Sequence, residues 1–444
     1  MANKVEARLP RGMRDILPQK MILRRYVIGV IEAVFEMYGF EPLQTPALEL
    51  AETLMGKYGP DAEKLIYDAR HREGKEELAL RYDLSVPLSR VVGMYPDLVK
   101  PFKRYQIAPV WRAERPQKGR YREFYQCDAD IVGTRSMAAD AEIVTMVYTA
   151  LSQLGFKQFE TKINDRKILS AIGAYAGVPA SHLGILYRSI DKLDKIGPDG
   201  VRAELEKNGL SGETVQQVLD LVAIPGDDLE AVRKRLSSVP AAALLATEGI
   251  DELEQLVGFL RDSGIPPQNI KVDFTMVRGL EYYTGPIYET VVTEPKIGSL
   301  TGGGRYDELI GLFSARSQPA TGTSFGIERI IDVMDELQMY PPQVGRTVTQ
   351  ALVTVFDAER RAGSQRVARE LRAAGYKTEV WFDPDGLGKQ LKYAAAKGIP
   401  FAIIIGPDEA AAGVATLRDL ATGEQAQVPQ AQLPQELGKR LLPA

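Results

Sequence analysis

Arginines, carboxylates and tyrosines are the residues of this sequence best equipped for chemistry. Arg112, Glu114, Arg120 and Arg122 lie within WRAERPQKGRYREF, Arg278 precedes Gly279 and the adjacent Tyr282 and Tyr283 in VRGLEYYTG, and Arg329 follows GTSFG. A guanidinium is a planar fork of donors that takes phosphate or carboxylate bidentately. On a strand, residues two apart share a face, so Arg112 and Glu114 are expected to point into one cavity, with Pro116 to Gly119 as the turn. By the same alternation Tyr282 and Tyr283 are expected on opposite sides of a sheet. Arg329 is expected in the first turn of a helix, where free N–H groups and the helix dipole add to anion binding. A lone arginine is more often a surface ion-pair partner. Three in separate segments fit a triphosphate better than a monophosphate. Asp83 and Asp130 sit on strand-like segments among apolar or aromatic neighbours, where an unpaired carboxylate is costly, so they are candidate receptors for a cationic ligand.

Other chemistries find less support. There is no GxxxxGK[ST], and GSLTGGGRYDELIG lacks GxGxxG spacing, so neither a P-loop nor a dinucleotide fingerprint is present. The two histidines, His71 and His182, lie in polar, loop-like text without a triad or metal partner nearby, and no protein-held metal is expected. One cysteine, Cys127, allows no internal disulfide and no CxxC pair; a small buried hydrophobe is expected there. With 55 basic and 59 acidic residues, a net charge of −4, the chain does not coat nucleic acid through bulk positive charge. Lys100 to Gln126 is locally basic, with eight Lys and Arg against Glu114 and Glu123. The longest apolar stretches, such as Phe401 to Ile405, fall far short of the ~20 residues of a bilayer crossing. The N-terminal MANKVEARLPRGMRD has no apolar export core, so a cytoplasmic protein is expected.

The elements that must position these residues are legible in outline. Leu23, Tyr26, Val27, Val30, Ile31, Val34, Phe35 and Tyr38 recur at helical spacing and predict a helix from about Pro18 to Gly39. FEPLQTPALE, with two prolines, reads as an edge or interface strand. From Glu77 to Val132, ELALRYDL, KRYQIAPVWRAE and YREFYQCDADIVG alternate like antiparallel strands, and a helix is predicted at about Ala138 to Leu154. Gly155 to Pro267 reads as helical segments, an insertion at about 165–267. Strand-like text returns with IKVDFTMVRGLEYYTGPIYETVV and LTGGGRYDELIGLF. Residues 1–335 are thus read as one α+β domain on an antiparallel sheet flanked by helices. Beyond a hinge at Pro341-Pro342, residues 345–444 alternate strand and helix as a separate α/β module. That module carries 13 basic and 11 acidic residues, a balance that permits an RNA-facing role.

In order along the chain, LRYDLSVP, WRAERPQKGRYREFYQ, VRGLEYYTG, GGGRYD and FGIER resemble the class II histidyl-tRNA synthetases, and the likeness covers essentially the whole chain. The resemblance implies that L-histidine and ATP form histidyl-adenylate and pyrophosphate, after which histidine passes to the terminal adenosine of tRNA(His). It implies that Arg112 and Arg278 hold the α-phosphate and the histidine carboxylate, that Arg329 binds the γ-phosphate, and that Glu114 lies near the adenine and the metal-bound phosphates, with Arg120 also on the ATP side. Asp83, Leu84, Ser85 and Gln126 would form the histidine backbone site, and Asp130 and Tyr283, with Tyr282 and Tyr306 beside them, would read the imidazole. Magnesium would arrive with ATP. Asp83-Leu84-Ser85 stands where many members have Glu-Gly-Thr, and Tyr125 where many have histidine. The resemblance further implies a homodimer, an insertion that contacts the acceptor arm, and a C-terminal α/β domain that reads the anticodon. The main alternative is a synthetase-like regulator of ATP phosphoribosyltransferase in histidine biosynthesis; the presence of Arg278 and the C-terminal module favours the enzyme.

Overall fold

The computed structural model describes residues 6–58, 60–116, 119–278, 282–341 and 344–441. Gln117 and Lys118 of the expected turn, Gly279 of the tyrosine motif and Pro342 of the expected hinge lie outside them. The chain divides into two compact units, one of Met1–Arg14 and Val27–Met339, the other of Asp15–Tyr26 and Tyr340–Ala444. The N-terminal stripe forms a helix, Pro18–Met37, on which Val27, Ile31, Val34 and Phe35 are fully buried. Gly39 follows it at φ 74°, in the left-handed region that favours glycine.

The first unit is built on eight strands: β1 Glu41–Pro42, β2 Phe102–Trp111, β3 Glu123–Val132, β4 Phe159–Asp165, β5 Ile270–Val272, β6 Pro286–Val292, β7 Thr301–Arg305 and β8 Ala320–Phe325. Their order across the sheet is β1-β2-β3-β8-β7-β6-β4-β5. The outermost pairs β1–β2 and β4–β5 are parallel and the rest antiparallel. Pro42 sits on an edge strand, where its missing N–H costs no ladder bond. Helical punctuation on either side masks β4, which the sequence reading places in a helical stretch.

Two segments depart from the expected strands. ELALRYDL supplies only Leu78–Leu80, part of a separate three-stranded sheet with Leu48–Leu50 and Tyr67–Ala69. Asp83 is therefore not on a strand; it precedes the helix Ser85–Met94 and accepts the Val86 N–H at 3.1 Å. Arg112 and Glu114 lie beyond the end of β2, in an irregular segment.

The helix Met137–Gln153 packs on the sheet and is capped by the Ser136 side chain, which accepts from the Ala138 N–H. It is fastened there by Asp140, which is fully buried, pairs with Arg305 of β7 and accepts the Thr321 hydroxyl of β8 at 2.7 Å. Between β4 and β5 the chain forms the helices Arg166–Tyr175, Leu183–Ile190, Leu193–Lys207, Gly212–Val222, Leu229–Leu236 and Pro240–Asp262.

In the second unit the strands β9 Ala351–Val353, β10 Thr378–Val380 and β11 Phe401–Ile404 run parallel in the order β10-β9-β11. The helices Arg361–Ala373 and Leu387–Lys397 make the crossovers. An antiparallel pair, β12 Val414–Asp419 and β13 Gln425–Pro429, extends the sheet beyond β11. Val353, Val367, Leu371, Ile403, Leu417 and Leu437 share its core.

Candidate active site

One cleft of about 670 Å³ opens on the face of the large sheet formed by β3, β8, β7 and β6. Arg112, Glu114, Arg120, Arg278 and Arg329 reach it from three separate segments, together with Ser85, Gln126, Asp130, Tyr282, Tyr283 and Tyr306. Asp83 and Leu84 do not line it. Asp83 is buried behind the wall, where one carboxylate oxygen takes the Tyr58 hydroxyl at 2.9 Å as well as the Val86 N–H, while Leu84 is fully buried and its carbonyl accepts from Arg104 at 3.1 Å. They support the start of the helix that carries Ser85.

The arginines are held in different ways. Arg112 donates through Nε to the Tyr82 carbonyl at 3.1 Å and lies 4.3 Å from the centre of the Tyr82 ring. Arg120 pairs with Glu114 at 2.9 Å, and Arg122 donates to the Glu114 carbonyl at 3.0 Å. Arg278 pairs with Glu289 of β6 at 3.1 Å. Burial works against its charge, but the Tyr283 hydroxyl, Glu289 and the Tyr282 hydroxyl outweigh that, and the guanidinium titrates above the usual arginine range. Arg329 sits in the first turn of the helix Ile327–Glu336, as its sequence context predicts, and donates to the Ser299 carbonyl at 2.8 Å. Burial, then the positive charges of Arg120 and Arg278, pull its titration below the usual range. Arg120 and Arg278 keep their glutamate partners, and an anion in the cleft would add a contact to all three arginines.

The run GGGRYD explains itself at this wall. A side chain at Gly302 would collide with the Arg278 guanidinium, and one at Gly304 would meet the Tyr283 ring at 2.9 Å. Strand β7 is bare so that both can lie flat on it. Arg305 is the buried partner of Asp140, and Tyr306 donates its hydroxyl to Asp130. Tyr282 and Tyr283 belong to the loop before β6 and not to a strand, so both enter the cleft; their ring centres lie 4.9 Å apart, and Tyr282 stands 5.8 Å from Tyr306.

The model of the family described as histidyl-tRNA synthetase matches residues 12–330, and that of the anticodon binding domain matches residues 350–440. The chain belongs to the histidyl-tRNA synthetase family. It is 45% identical to a histidine–tRNA ligase of Aeropyrum pernix, over 98% of this chain and 99% of that one, and 43% identical to one of Cytophaga hutchinsonii, over 95% and 97%. A crystal structure of histidyl-tRNA synthetase from Nostoc sp. PCC 7120 superposes with a TM-score of 0.86 at 34% identity, covering 98% of this chain and all of that one.

The synthetase motifs quoted above do not point to three charged residues that the structure brings to the site. Arg104 of β2 is fully buried, faces Asp130 across the β2–β3 ladder and pairs with it at 2.7 Å. Glu289 holds Arg278. Asp128 lies on the cleft wall between Gln126 and Asp130. The one available signal was the spacing of residues 126, 128 and 130, which a strand puts on one face.

Proposed function

We propose that this chain is a class II enzyme that activates L-histidine with ATP and transfers the aminoacyl group to the terminal adenosine of tRNA(His). The observation that carries the reading is the convergence of Arg112, Arg120, Arg278 and Arg329 on one cleft that is also lined by Tyr282, Tyr283, Tyr306 and Asp130. In the first step a histidine carboxylate oxygen attacks the α-phosphorus of ATP and pyrophosphate leaves. In the second a ribose hydroxyl of the tRNA attacks the aminoacyl carbonyl and AMP leaves. Neither step needs a protein nucleophile; both need reactants held in line and negative charge met by fixed donors.

Arg112 and Arg278 clamp the histidine carboxylate and the α-phosphate, Arg329 with Arg120 takes the outer phosphates, and Glu114 faces the adenine and the magnesium that ATP brings as part of the substrate. Ser85 and Gln126 meet the amino-acid backbone. The imidazole end is read by Tyr283 and Asp130, with Tyr282 and Tyr306 closing the sides. Asp130 is already neutralised by Arg104 and receives the Tyr306 hydroxyl, so its role is to fix the tyrosine wall as much as to accept a ring N–H. A ligand without both ring nitrogens leaves such buried groups unpaired, a source of discrimination on the order of 10⁴–10⁵.

The RNA partner, a homodimeric assembly and a cytoplasmic setting complete the reading. Among the described residues no helix is long and apolar enough to cross a membrane. The regulatory alternative gains nothing from the cleft, on which Arg112, Arg120, Arg278 and Arg329 converge. Histidine-dependent exchange of pyrophosphate into ATP, followed by charging of tRNA(His), tests the proposal; a purified chain that binds histidine but performs no exchange would return the regulatory reading to the front.

A further inference from the structure

We propose that Asp128 is the anionic contact for the α-ammonium group of the bound amino acid, and so a further substrate-binding residue; this deepens the histidine-activating reading and rests on it. Asp128 and Asp130 lie two apart on β3, both nearly fully buried and both on the cleft wall, yet their surroundings differ. Across the ladders Asp130 faces Arg104 on one side and Gly322 on the other. Its charge is therefore met within the protein. Asp128 faces Gln106 and Ser324, both neutral, and has no ion-pair partner within 4 Å among the described residues. Its carboxylate oxygens meet only neutral donors, the Gln126 amide at 3.3 and 3.4 Å and the Ser324 hydroxyl. A buried carboxylate left this way calls for a cation or for a proton.

The charged neighbours agree with that account. Burial pushes the Asp128 carboxyl up, Arg104 pulls it down, Asp130 pushes it up again, Ser324 pulls it down and Asp83 pushes it up, leaving it at about 7. Arg81, Tyr282 and Tyr283 also feel its charge. An α-amino acid supplies the missing cation. Its ammonium also has acceptors beside it, because the Gln126 Oε1 and Thr323 Oγ1 are buried at the same wall without a hydrogen-bond partner. Asp83 gives one oxygen to Tyr58 and the helix start and is not part of the cleft lining. The sign of the linkage follows: an adjacent ammonium favours the carboxylate, so a proton leaves Asp128 on binding, and histidine affinity falls as pH drops below about 7.

The test uses the full chain with L-histidine and with imidazolepropionate, which keeps the ring and the carboxylate but lacks the amine. Asp128→Asn is expected to raise the dissociation constant of histidine by about tenfold or more while moving that of imidazolepropionate by less than about twofold. Equal weakening of both ligands, or unchanged histidine binding, overturns the assignment. Calorimetry on the unaltered protein near pH 7, in two buffers of different ionisation enthalpy, stands independent of how the variant folds. After allowance for each ligand's own titration, histidine should expel more protons than imidazolepropionate, and equal counts overturn the assignment. An unaltered protein that shows neither histidine affinity nor histidine-dependent exchange defeats the underlying reading itself, a result distinct from an active enzyme indifferent to Asp128→Asn.

Discussion

Arg278 is the side chain on which most of the cleft's electrostatics meet. It touches Glu289, lies against Tyr283 and acts on Arg329 through space. Arg278→Ala should lower histidine-dependent pyrophosphate exchange by about 10²–10³-fold, as loss of a fixed transition-state donor does, while the thermal unfolding midpoint changes little, because the side chain is only partly buried. An exchange rate within a few-fold of the unaltered enzyme would remove it from that role. The arginines were legible in the sequence because each sits in a distinctive local string. Asp128, Arg104 and Glu289 were not, since what matters about them is the residue opposite. Arg104 lies 26 positions from Asp130, and only the register of two strands makes them partners. Asp83 misled for a related reason: it follows a strand of three residues, and the alternation read through it stops at Leu80.

At the scale of elements, β7 and the helix Met137–Gln153 set the site's geometry. Replacing Gly302 by alanine puts a methyl group where the Arg278 guanidinium rests. The long arginine side chain can swing away, so the expected cost falls on activity, on the order of 10²-fold in exchange, with a nearly normal melting curve. A variant that instead unfolds would show the strand itself to be the weak point. Arg305→Met tests the opposite case. It strands the buried carboxylate of Asp140, and denaturant titration should record a loss of about 3–5 kcal/mol. The sequence reading captured the antiparallel sheet, the N-terminal helix and the helical insertion because each carries a long periodic pattern. It missed β4, a seven-residue strand set among helices, and the β12–β13 hairpin. Both are too short for periodicity to separate them from their surroundings.

On the scale of the whole molecule, the two units divide the chemistry from the chain's other binding module. Arg366 and Arg369 are exposed on the helix Arg361–Ala373 of the second unit. Reversing both charges should raise the KM for tRNA and flatten its salt dependence, leaving pyrophosphate exchange unaltered; a parallel loss of exchange would argue against separable roles. The crowding of Arg120, Arg278 and Arg329 also bears on how the protein behaves with nothing bound. Arg120 and Arg278 lower the titration of Arg329, and any small polyanion that fits among the three should act as a folding aid. Inorganic pyrophosphate at 100 times its dissociation constant should add about 2.7 kcal/mol of stability. Purified in low-salt buffer without nucleotide, the protein should therefore melt early, and a trace of the reaction's own by-product should protect it.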